Sequence, residues 1–493
     1  MNFKDLLANQ AAESNNATTT TNGAKAYKST LNNHLDLFSS VGSMRNSATA
    51  DIERRFQRAY SEDKQTAARI MYWARDIRGG AGERKAFNVM MNWLAKNDSV
   101  TANQLIQHIP EYGRWEDMVD LVNVPELTTN ITNIIRAQLI EDIANMETGK
   151  SVSLMAKWLP GVNTGKASSA LAKKYFVGKI SKNEKTYRQT LSKLRKHIGV
   201  VEQQMCANDW TGIEYKKVPS NAMSLYSASF GKHDKEGFGS YMEAVKSGET
   251  KINASTLFPY DIINKVKQNK EIEVAEAQWK ALPNYIKETS SVITVVDVSG
   301  SMECAAGKSS SVTCKDVAIS LGLYTAERLS GIYKDCMITF SESPVFVNVA
   351  NINNLRTKYS TINNSQWSMN TNLEKVYKLI LDTAVKHKCA QNEIPSTILI
   401  VSDMQFDGAV SGRSHIDNMK LKFEQHGYTC PKVVFWNVND NDNKPATTKD
   451  GAIMISGFSP AILTNALNAE IKSPVELMQL TIDSERYSRI VVD

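Results

Sequence analysis

The segment VITVVDVSGS, residues 292–301, decides the fold of the C-terminal half of this chain. Residues 292–296 are all β-branched and nearly all apolar, as a strand buried on both faces of a parallel sheet requires. Polar side chains follow at alternate positions, namely Asp297, Ser299 and Ser301, and this period-two spacing predicts that they point the same way. Ligands bind beyond the carboxyl ends of strands in open parallel sheets, so the segment predicts a strand that ends in a binding site.

Three apolar runs downstream repeat this pattern and are predicted as further parallel strands. They lie around Ile338, at residues 397–401 and at residues 433–436. A helix is predicted between them, because apolar side chains recur at three- and four-residue spacing at Leu373, Val376, Tyr377, Ile380, Leu381 and Ala384. Alternating strands and helices predict a doubly wound, Rossmann-like α/β domain over residues 289–493.

The residues before this sheet have a helical pattern. After Glu83, apolar side chains fall on one helical face, at Ala86, Phe87, Met90, Met91 and Leu94. Similar stretches separated by turn residues predict stacked antiparallel helices over residues 31–288, an all-α domain with irregular, HEAT-like repeats. Residues 1–30 are partly polar and low in complexity, which predicts a flexible N-terminal arm. The expected fold class is therefore α + α/β.

Length and composition indicate an ordinary globular protein with two or more domains. The chain has 493 residues, 42% of them hydrophobic and 22% charged. It contains no run of about 18 apolar residues, and its N-terminus lacks the apolar segment of a secretory signal. The six cysteines show no metal-finger spacing, which favours reduced thiols and a cytoplasmic location. Because a long apolar run is lacking, no membrane partner is expected. A net charge of +6 permits a polyanionic partner without requiring one.

Two more oxygen-bearing residues are predicted to join the first three at the same sheet edge. Thr371 stands at the start of the predicted helix, and Asp403 follows the strand at 397–401. Carboxylates and hydroxyls without His or Cys select Mg²⁺, or another divalent cation such as Mn²⁺ or Ca²⁺, over zinc. Neutral hydroxyls leave positive charge on the ion, so the site is expected to dock an acidic group. The alternative is a polar turn with helix-capping residues.

A basic segment in the helical half is the first candidate for RNA binding. Between Lys166 and His197, ten Lys or Arg residues accompany one acid, Glu184. Basic side chains neutralise phosphates, and interleaved rings at Tyr175, Phe176 and Tyr187 offer surfaces for base stacking. The candidate residues are Lys173, Lys174, Lys179, Lys182, Lys185, Arg188, Lys193, Arg195 and Lys196. The alternative is a solvated helix face whose aromatic side chains belong to the core.

Three arginines form a second candidate RNA-binding group, namely Arg78, Arg84 and Arg114. Aspartate and glutamate residues stand near them in the sequence. Structural ion pairs are therefore an equal alternative for this group.

The metal-site pattern resembles the metal-ion-dependent adhesion site of von Willebrand factor A (VWA) domains in integrins and many intracellular proteins. The phrases WARDIRGGAGER, residues 73–84, and IPEYGRWED, residues 109–117, resemble the helical domain of the TROVE group, which includes the Ro RNA-binding autoantigen. The likeness is strongest to a TROVE-like branch found in plants, microbes and phages. It covers nearly the whole chain after about residue 20.

This resemblance implies a ring-shaped helical domain that is closed by the VWA domain and binds single-stranded, misfolded or small non-coding RNA. The helical half differs greatly in sequence from the Ro protein, so the RNA partners of that protein are not carried over. The leading hypothesis is a non-catalytic RNA-binding protein whose metal site docks an acidic partner or a nuclease. The alternative is a VWA adaptor or scaffold for a ring ATPase or another complex, without RNA. A metal-dependent nuclease is disfavoured, because such enzymes usually use more than two carboxylates.

Overall fold

The computed structural model describes residues 16–19, 25–286, 291–306, 311–340, 344–365, 373–404, 415–439, 452–467 and 473–492. Near its N-terminus, strands β1 (Ala17–Thr19) and β2 (Lys25–Tyr27) form an antiparallel pair. This pair falls within the segment predicted as a flexible arm, of which residues 1–15 and 20–24 lie outside the described residues.

Helices make up the chain from residue 33 to residue 281. In chain order they are α1 (Asn33–Ser40), α2 (Thr49–Glu62), α3 (Lys64–Arg75), α4 (Arg84–Asn97), α5 (Ser99–Leu105), α6 (Ile109–Tyr112), α7 (Trp115–Asp120), α8 (Pro125–Glu147), α9 (Met155–Trp158), α10 (Lys166–Tyr175), α11 (Glu184–Ile198), α12 (Val201–Cys206), α13 (Ser220–His233), α14 (Lys235–Ser247), α15 (Pro259–Lys267) and α16 (Ile272–Ala281). The apolar face predicted for α4 is confirmed, since Ala86, Phe87, Met90, Met91 and Leu94 are all buried. None of the helices in the described ranges is long and apolar enough to cross a bilayer.

The C-terminal half contains a six-stranded sheet flanked by helices. Its strands are β3 (Val292–Asp297), β4 (Cys336–Phe340), β5 (Val345–Asn348), β6 (Thr397–Ser402), β7 (Lys432–Asn437) and β8 (Ile453–Ser456). Its helices are α17 (Cys314–Arg328), α18 (Leu355–Asn363), α19 (Leu373–His387), α20 (His415–Gln425), α21 (Leu463–Ala466) and α22 (Pro474–Ile482). The strand order is β5-β4-β3-β6-β7-β8, and all neighbours are parallel except β4 and β5. The predicted combination of a helical half and a parallel-rich α/β half is confirmed.

The two faces of this sheet belong to different hydrophobic cores. On one face, side chains such as Val296 and Leu399 join α17 in a core that continues into the helical half. On the other face, Ile293 and Ile400 pack with α19 and α20. Helix α17 is buried along almost its whole length, because it lies between the sheet and the helical half.

Both ends of the helical half contact the sheet half. At the late end, Lys267 of α15 pairs with Asp316 of α17 at 2.9 Å, and the Trp279 ring of α16 donates to Glu327 at 2.6 Å. At the early end, α1 contacts β8, and α3 contacts α22. Because the late residue Tyr285 also donates to the carbonyl of Arg78, the helical path closes on itself beside the sheet.

The early contact depends on two glycines whose backbones touch. A Cβ atom added to Gly42 would lie 2.0 Å from the nitrogen of Gly457, and the Gly42 amide donates to Ser456 Oγ at 2.9 Å. Gly42→Ala should therefore push the two segments apart and destabilise the protein by about 2 kcal/mol or more. Chemical denaturation of the purified variant measures the loss.

A second glycine in the helical half provides the matched control. Gly239 lies within α14, and a Cβ added there meets no heavy atom within 4 Å. Gly239→Ala should leave the stability unchanged or raise it by up to about 1 kcal/mol, because alanine favours a helix. Equal stability of the Gly42→Ala protein and the wild type would contradict the close packing at residue 457.

Candidate metal site and basic surface

The candidate metal site lies where the strand order of the sheet reverses direction. Strands β3 and β6 are parallel neighbours at the centre, and the chain leaves them toward opposite edges. Ligands of open α/β sheets bind in the crevice at such a point, beyond the carboxyl ends of the strands. Asp297 is the last residue of β3, and Asp403 directly follows β6. The pairing of these two strands therefore brings both carboxylates to one crevice.

Hydrogen bonds fix the Asp297 carboxylate in place. One oxygen accepts the backbone amide of Ser299 at 2.9 Å, and the other accepts the Ser402 hydroxyl at 2.6 Å. Ser402 in turn accepts the amide of Met404 at 3.1 Å, so the two strand exits are joined through one hydroxyl. Both of these hydrogen-bond donors to the carboxylate are uncharged.

Burial gives the carboxylate pair its unusual electrostatics. Asp297 and Asp403 are 0% and 1% exposed. Burial, and after it the neighbouring charge of Asp403, raise the pKa of Asp297 to about 7 against the lowering effect of hydrogen bonds from Ser402 and Ser299. Two buried carboxylates of like charge repel each other, and a bound cation would relieve that repulsion.

Two hydroxyls lie beside the carboxylates. The Ser299 and Ser301 hydroxyl oxygens are 3.1 Å apart, at the start of the short 3₁₀ helix Gly300–Glu303. Ser299 is buried and Ser301 is exposed. The Ser299 and Ser301 hydroxyls therefore lie on the same side of the turn, as the period-two spacing predicts for these two residues.

The structure brings four of the five predicted metal ligands into one region, namely Asp297, Ser299, Ser301 and Asp403. The fifth, Thr371, lies outside the described residues. Within the described ranges, no three His, Cys, Asp or Glu side chains form a group that could hold a metal ion. The candidate donors that the structure describes are two carboxylates and two hydroxyls, all of them hard oxygen ligands. Such a set fits Mg²⁺, Mn²⁺ or Ca²⁺ and not a soft metal.

Ser402 is a site residue that the sequence reasoning missed. It is fully buried, and it connects the Asp297 carboxylate to the exit of β6. A polar residue that ends an otherwise apolar strand, directly before a candidate ligand, is the signal that could have identified it.

The basic segment forms α10, α11 and the turn between them. Most of its candidate RNA-binding side chains are exposed, namely Lys173, Lys174, Lys179, Lys182, Lys185, Arg188, Lys193 and Lys196. Lys173 pairs with Glu184 at 3.1 Å, and the ammonium groups of Lys174 and Lys179 lie 4.9 and 5.6 Å from the Tyr175 ring centroid. The segment thus presents many cations and one acid to solvent.

The interleaved rings are in the core. Phe176 and Tyr187 are 0% and 1% exposed, and the Tyr187 hydroxyl donates to the carbonyl of Pro160. Arg195 donates to the carbonyls of Ala156 and Leu159, each at 2.8 Å, so it joins α11 to the chain around α9. The segment therefore offers cations for phosphate contacts, whereas its buried rings are not available for base stacking.

The second arginine group is largely engaged in protein contacts. Arg84 pairs with Glu116, Asp117 and Asp120 at 3.1, 3.0 and 2.6 Å. These bonds favour the structural alternative for Arg84.

The other two arginines of that group also make protein contacts. The Arg78 guanidinium donates to the carbonyl of Glu111 at 2.8 Å, although its side chain is exposed. The Arg114 guanidinium lies 5.4 Å from the Trp158 ring centroid. The basic segment is therefore the more accessible of the two candidate groups.

Comparison with known proteins finds family matches between residues 20 and 488. Residues 20–127 and 124–292 match the family described as Domain of unknown function (DUF2828), and residues 291–488 match Domain of unknown function (DUF7788). The chain is also 30% identical to "Uncharacterized protein L728" of Acanthamoeba polyphaga mimivirus over an alignment of 507 positions. That alignment covers 94% of this chain and 86% of the viral protein. The similarity to the viral protein therefore extends over both the helical half and the sheet half of this chain.

Proposed function

The chain belongs to the DUF2828 family, and we propose that it is a non-catalytic RNA-binding protein whose VWA-type metal site docks an acidic partner. The proposed metal site is supported by one observation, the proximity of four oxygen-bearing residues at the point where the strand order reverses. These residues are Asp297, Ser299, Ser301 and Asp403. The exposed basic segment supports the RNA part. Thr371 completes the proposed ligand set, as the sequence pattern implies.

The sheet topology supports the likeness to VWA domains. The strand order is that of a doubly wound nucleotide-binding sheet, with one antiparallel strand, β5, at an edge. A metal ion at the central crevice would be held by carboxylates and hydroxyls. Bound there, it would take a further carboxylate oxygen from another protein, because such cations bind six or more oxygen ligands and the proposed set supplies five. A partner or nuclease that offers an acidic side chain fits this chemistry.

The closed path of the helical half supports a ring-like arrangement. Helices at its beginning and its end both contact the sheet half, as a HEAT-like ring closed by a VWA domain requires. The exposed cations of α10 and α11 would then bind RNA through its phosphates. Since the nearby rings are buried, we expect binding with little base preference at this segment.

The burial of those rings also favours the second candidate function. An adaptor for a ring ATPase would need the metal site and a rigid helical scaffold, and it would not need base stacking. The two candidate functions differ in one prediction. The RNA-binding function requires the basic segment to bind RNA, whereas the adaptor function does not.

Removing charge from α11 tests the RNA proposal. The triple variant Lys185→Ala, Lys193→Ala and Lys196→Ala should weaken binding of a short labelled single-stranded RNA on the order of 10-fold at low salt. It should also reduce the slope of log affinity against log salt by about 2, because three phosphate contacts are lost. Fluorescence anisotropy over a salt series measures both quantities.

A matched triple variant controls for net charge. Lys232, Lys235 and Lys251 are likewise exposed in the helical half, and their replacement by alanine should change RNA affinity much less. Absence of RNA binding by the wild-type protein at low salt would remove the RNA proposal and leave the adaptor. Equal effects of the two triple variants would show that binding is not localised to α11.

A further inference from the structure

Two thiols lie in contact next to the metal-site turn. Cys304 directly follows the 3₁₀ helix Gly300–Glu303, and Cys314 is the first residue of α17. Their sulfur atoms are 3.2 Å apart, and no disulfide joins them. Cys304 is partly exposed, whereas Cys314 is fully buried.

Backbone pairing holds the two cysteines opposite each other. The Cys314 amide donates to the Cys304 carbonyl at 2.9 Å, and the next residues, Ala305 and Thr313, form an antiparallel bridge. On the other side, Lys315 forms an ion pair with Glu303. The sulfur contact is therefore set by the pairing of two segments and not by one rotamer alone.

The geometry is close to that of a disulfide. A disulfide needs Cα atoms about 4.4–6.8 Å apart, and directly paired antiparallel residues have Cα atoms about 5.5 Å apart. Forming the bond requires the sulfurs of Cys304 and Cys314 to approach by about 1 Å, to the usual length of about 2 Å. It also removes the hydrogen bond that the Cys314 thiol donates to the Val438 carbonyl at 3.3 Å.

We propose that Cys304 and Cys314 form a redox-active dithiol that hydrogen peroxide converts reversibly into a disulfide. The more exposed Cys304 first loses its proton to water and attacks one peroxide oxygen, so that an S–O bond forms and the O–O bond breaks, which yields a sulfenic acid and hydroxide. The Cys314 sulfur then attacks the Cys304 sulfur, so that an S–S bond forms and the S–O bond breaks. The departing oxygen leaves as water, carrying the thiol proton. Two thiols lose two electrons in total, and the peroxide gains them.

The bond would tie the metal-site turn to the start of α17. The Cys304 amide already donates to the carbonyl of Ser301 at 3.4 Å. Oxidation therefore acts within three residues of a proposed ligand. The formation of the bond does not depend on metal binding, and neither does its test.

Peptide mapping of the full-length protein tests the dithiol. The reduced protein is treated with hydrogen peroxide, alkylated and digested with trypsin, which cleaves after Lys308 between the two cysteines. We expect a disulfide-linked peptide pair that contains Cys304 and Cys314, loss of two of the six thiols, and recovery of both after dithiothreitol. The Cys206→Ser protein is the control, because Cys206 is exposed in the helical half, and it should form the same linked pair.

Single variants make the result decisive. Cys304→Ser, at the partly exposed position, should abolish the linked peptide pair, and Cys314→Ala should do the same if Cys314 is the second thiol. The proposal is overturned if peroxide oxidises Cys206 while the other two cysteines stay free. It is equally overturned if the Cys304→Ser protein still loses two thiols to a disulfide.

Discussion

Replacing Asp297 with alanine is expected to lower the affinity for Mg²⁺ or Mn²⁺ by roughly 100-fold or more. The carboxylate is buried at the end of β3, and it positions Ser299 through the backbone amide. Its loss removes one of the two negative charges that the ion would meet there. Isothermal titration of the metal-free protein with Mn²⁺ measures the change, and a chelator should reverse the wild-type signal.

The variant Asp297→Asn separates metal binding from folding. Asparagine keeps the shape and removes the repulsion between buried carboxylates, but its one oxygen can accept from Ser402 or from the Ser299 amide and not from both. We therefore expect lower metal affinity together with a small net change in the stability of the metal-free protein, because the relieved repulsion offsets the lost hydrogen bond. Asp142→Asn changes an equally buried carboxylate in α8 and should leave metal affinity unchanged. Equal metal affinity of the Asp297→Asn protein and the wild type would contradict the assignment.

Replacing Asp76 with alanine is expected to destabilise the protein by about 3 kcal/mol. Asp76 is fully buried after α3 and accepts hydrogen bonds from the Arg486 guanidinium and, at 2.9 Å, from the Tyr487 hydroxyl. The hydrogen bonds to Asp76 hold the pKa of Arg486 above its usual range. Alanine would leave a partly buried cation and a buried hydroxyl without this acceptor.

A second carboxylate across the same contact gives the control. Asp483 binds Arg69 at 2.6 Å, but its side chain is 55% exposed. Asp483→Ala should therefore cost less than about 1 kcal/mol. Denaturant unfolding compares the two variants, and limited proteolysis should release the C-terminal segment sooner in the Asp76→Ala protein. Similar stability losses in both variants would show that burial of Asp76 does not strengthen this contact.

The strands that the sequence predicted are the continuously apolar ones. Strands β3, β6 and β7 lie in the sheet interior, where both of their faces are buried. Their sequences are therefore continuous apolar runs, which are readily recognised as strands. Strand β5 was missed because it is a short edge strand with three of its four residues exposed. Strand β8 was missed because its four residues follow a long polar stretch and are too few to set a pattern.

The positions of the site residues that lie at strand ends were predictable from the sequence. Asp297 and Asp403 each end or follow a buried parallel strand, and the strand topology alone places such residues at one edge. The hydrogen bond from Ser402 to Asp297 was not predictable, since it depends on the side-by-side register of strands 105 residues apart. The burial of Tyr187 in α11 agrees with the alternative that the sequence left open, in which the aromatic side chains belong to the core.

The contacts between the helical half and the sheet half could not be predicted from the sequence. Asp76 and Arg486 are 410 residues apart, and each looks like an ordinary surface charge in its own segment. Gly42 likewise has no turn signal that explains it, because its role is to let a distant backbone approach. Packing between segments that are distant in the sequence produces no periodic pattern of apolar residues from which it could be predicted.

A crystal structure of the protein soaked in Mn²⁺, with anomalous diffraction at the manganese edge, tests the central claim most directly. We predict one peak in the crevice between β3 and β6, with the hydroxyl oxygens of Ser299 and Ser301 about 2.1 Å away and the Asp403 carboxylate in its coordination sphere. A saturating soak that leaves this crevice empty, or that places manganese only elsewhere, would contradict the account.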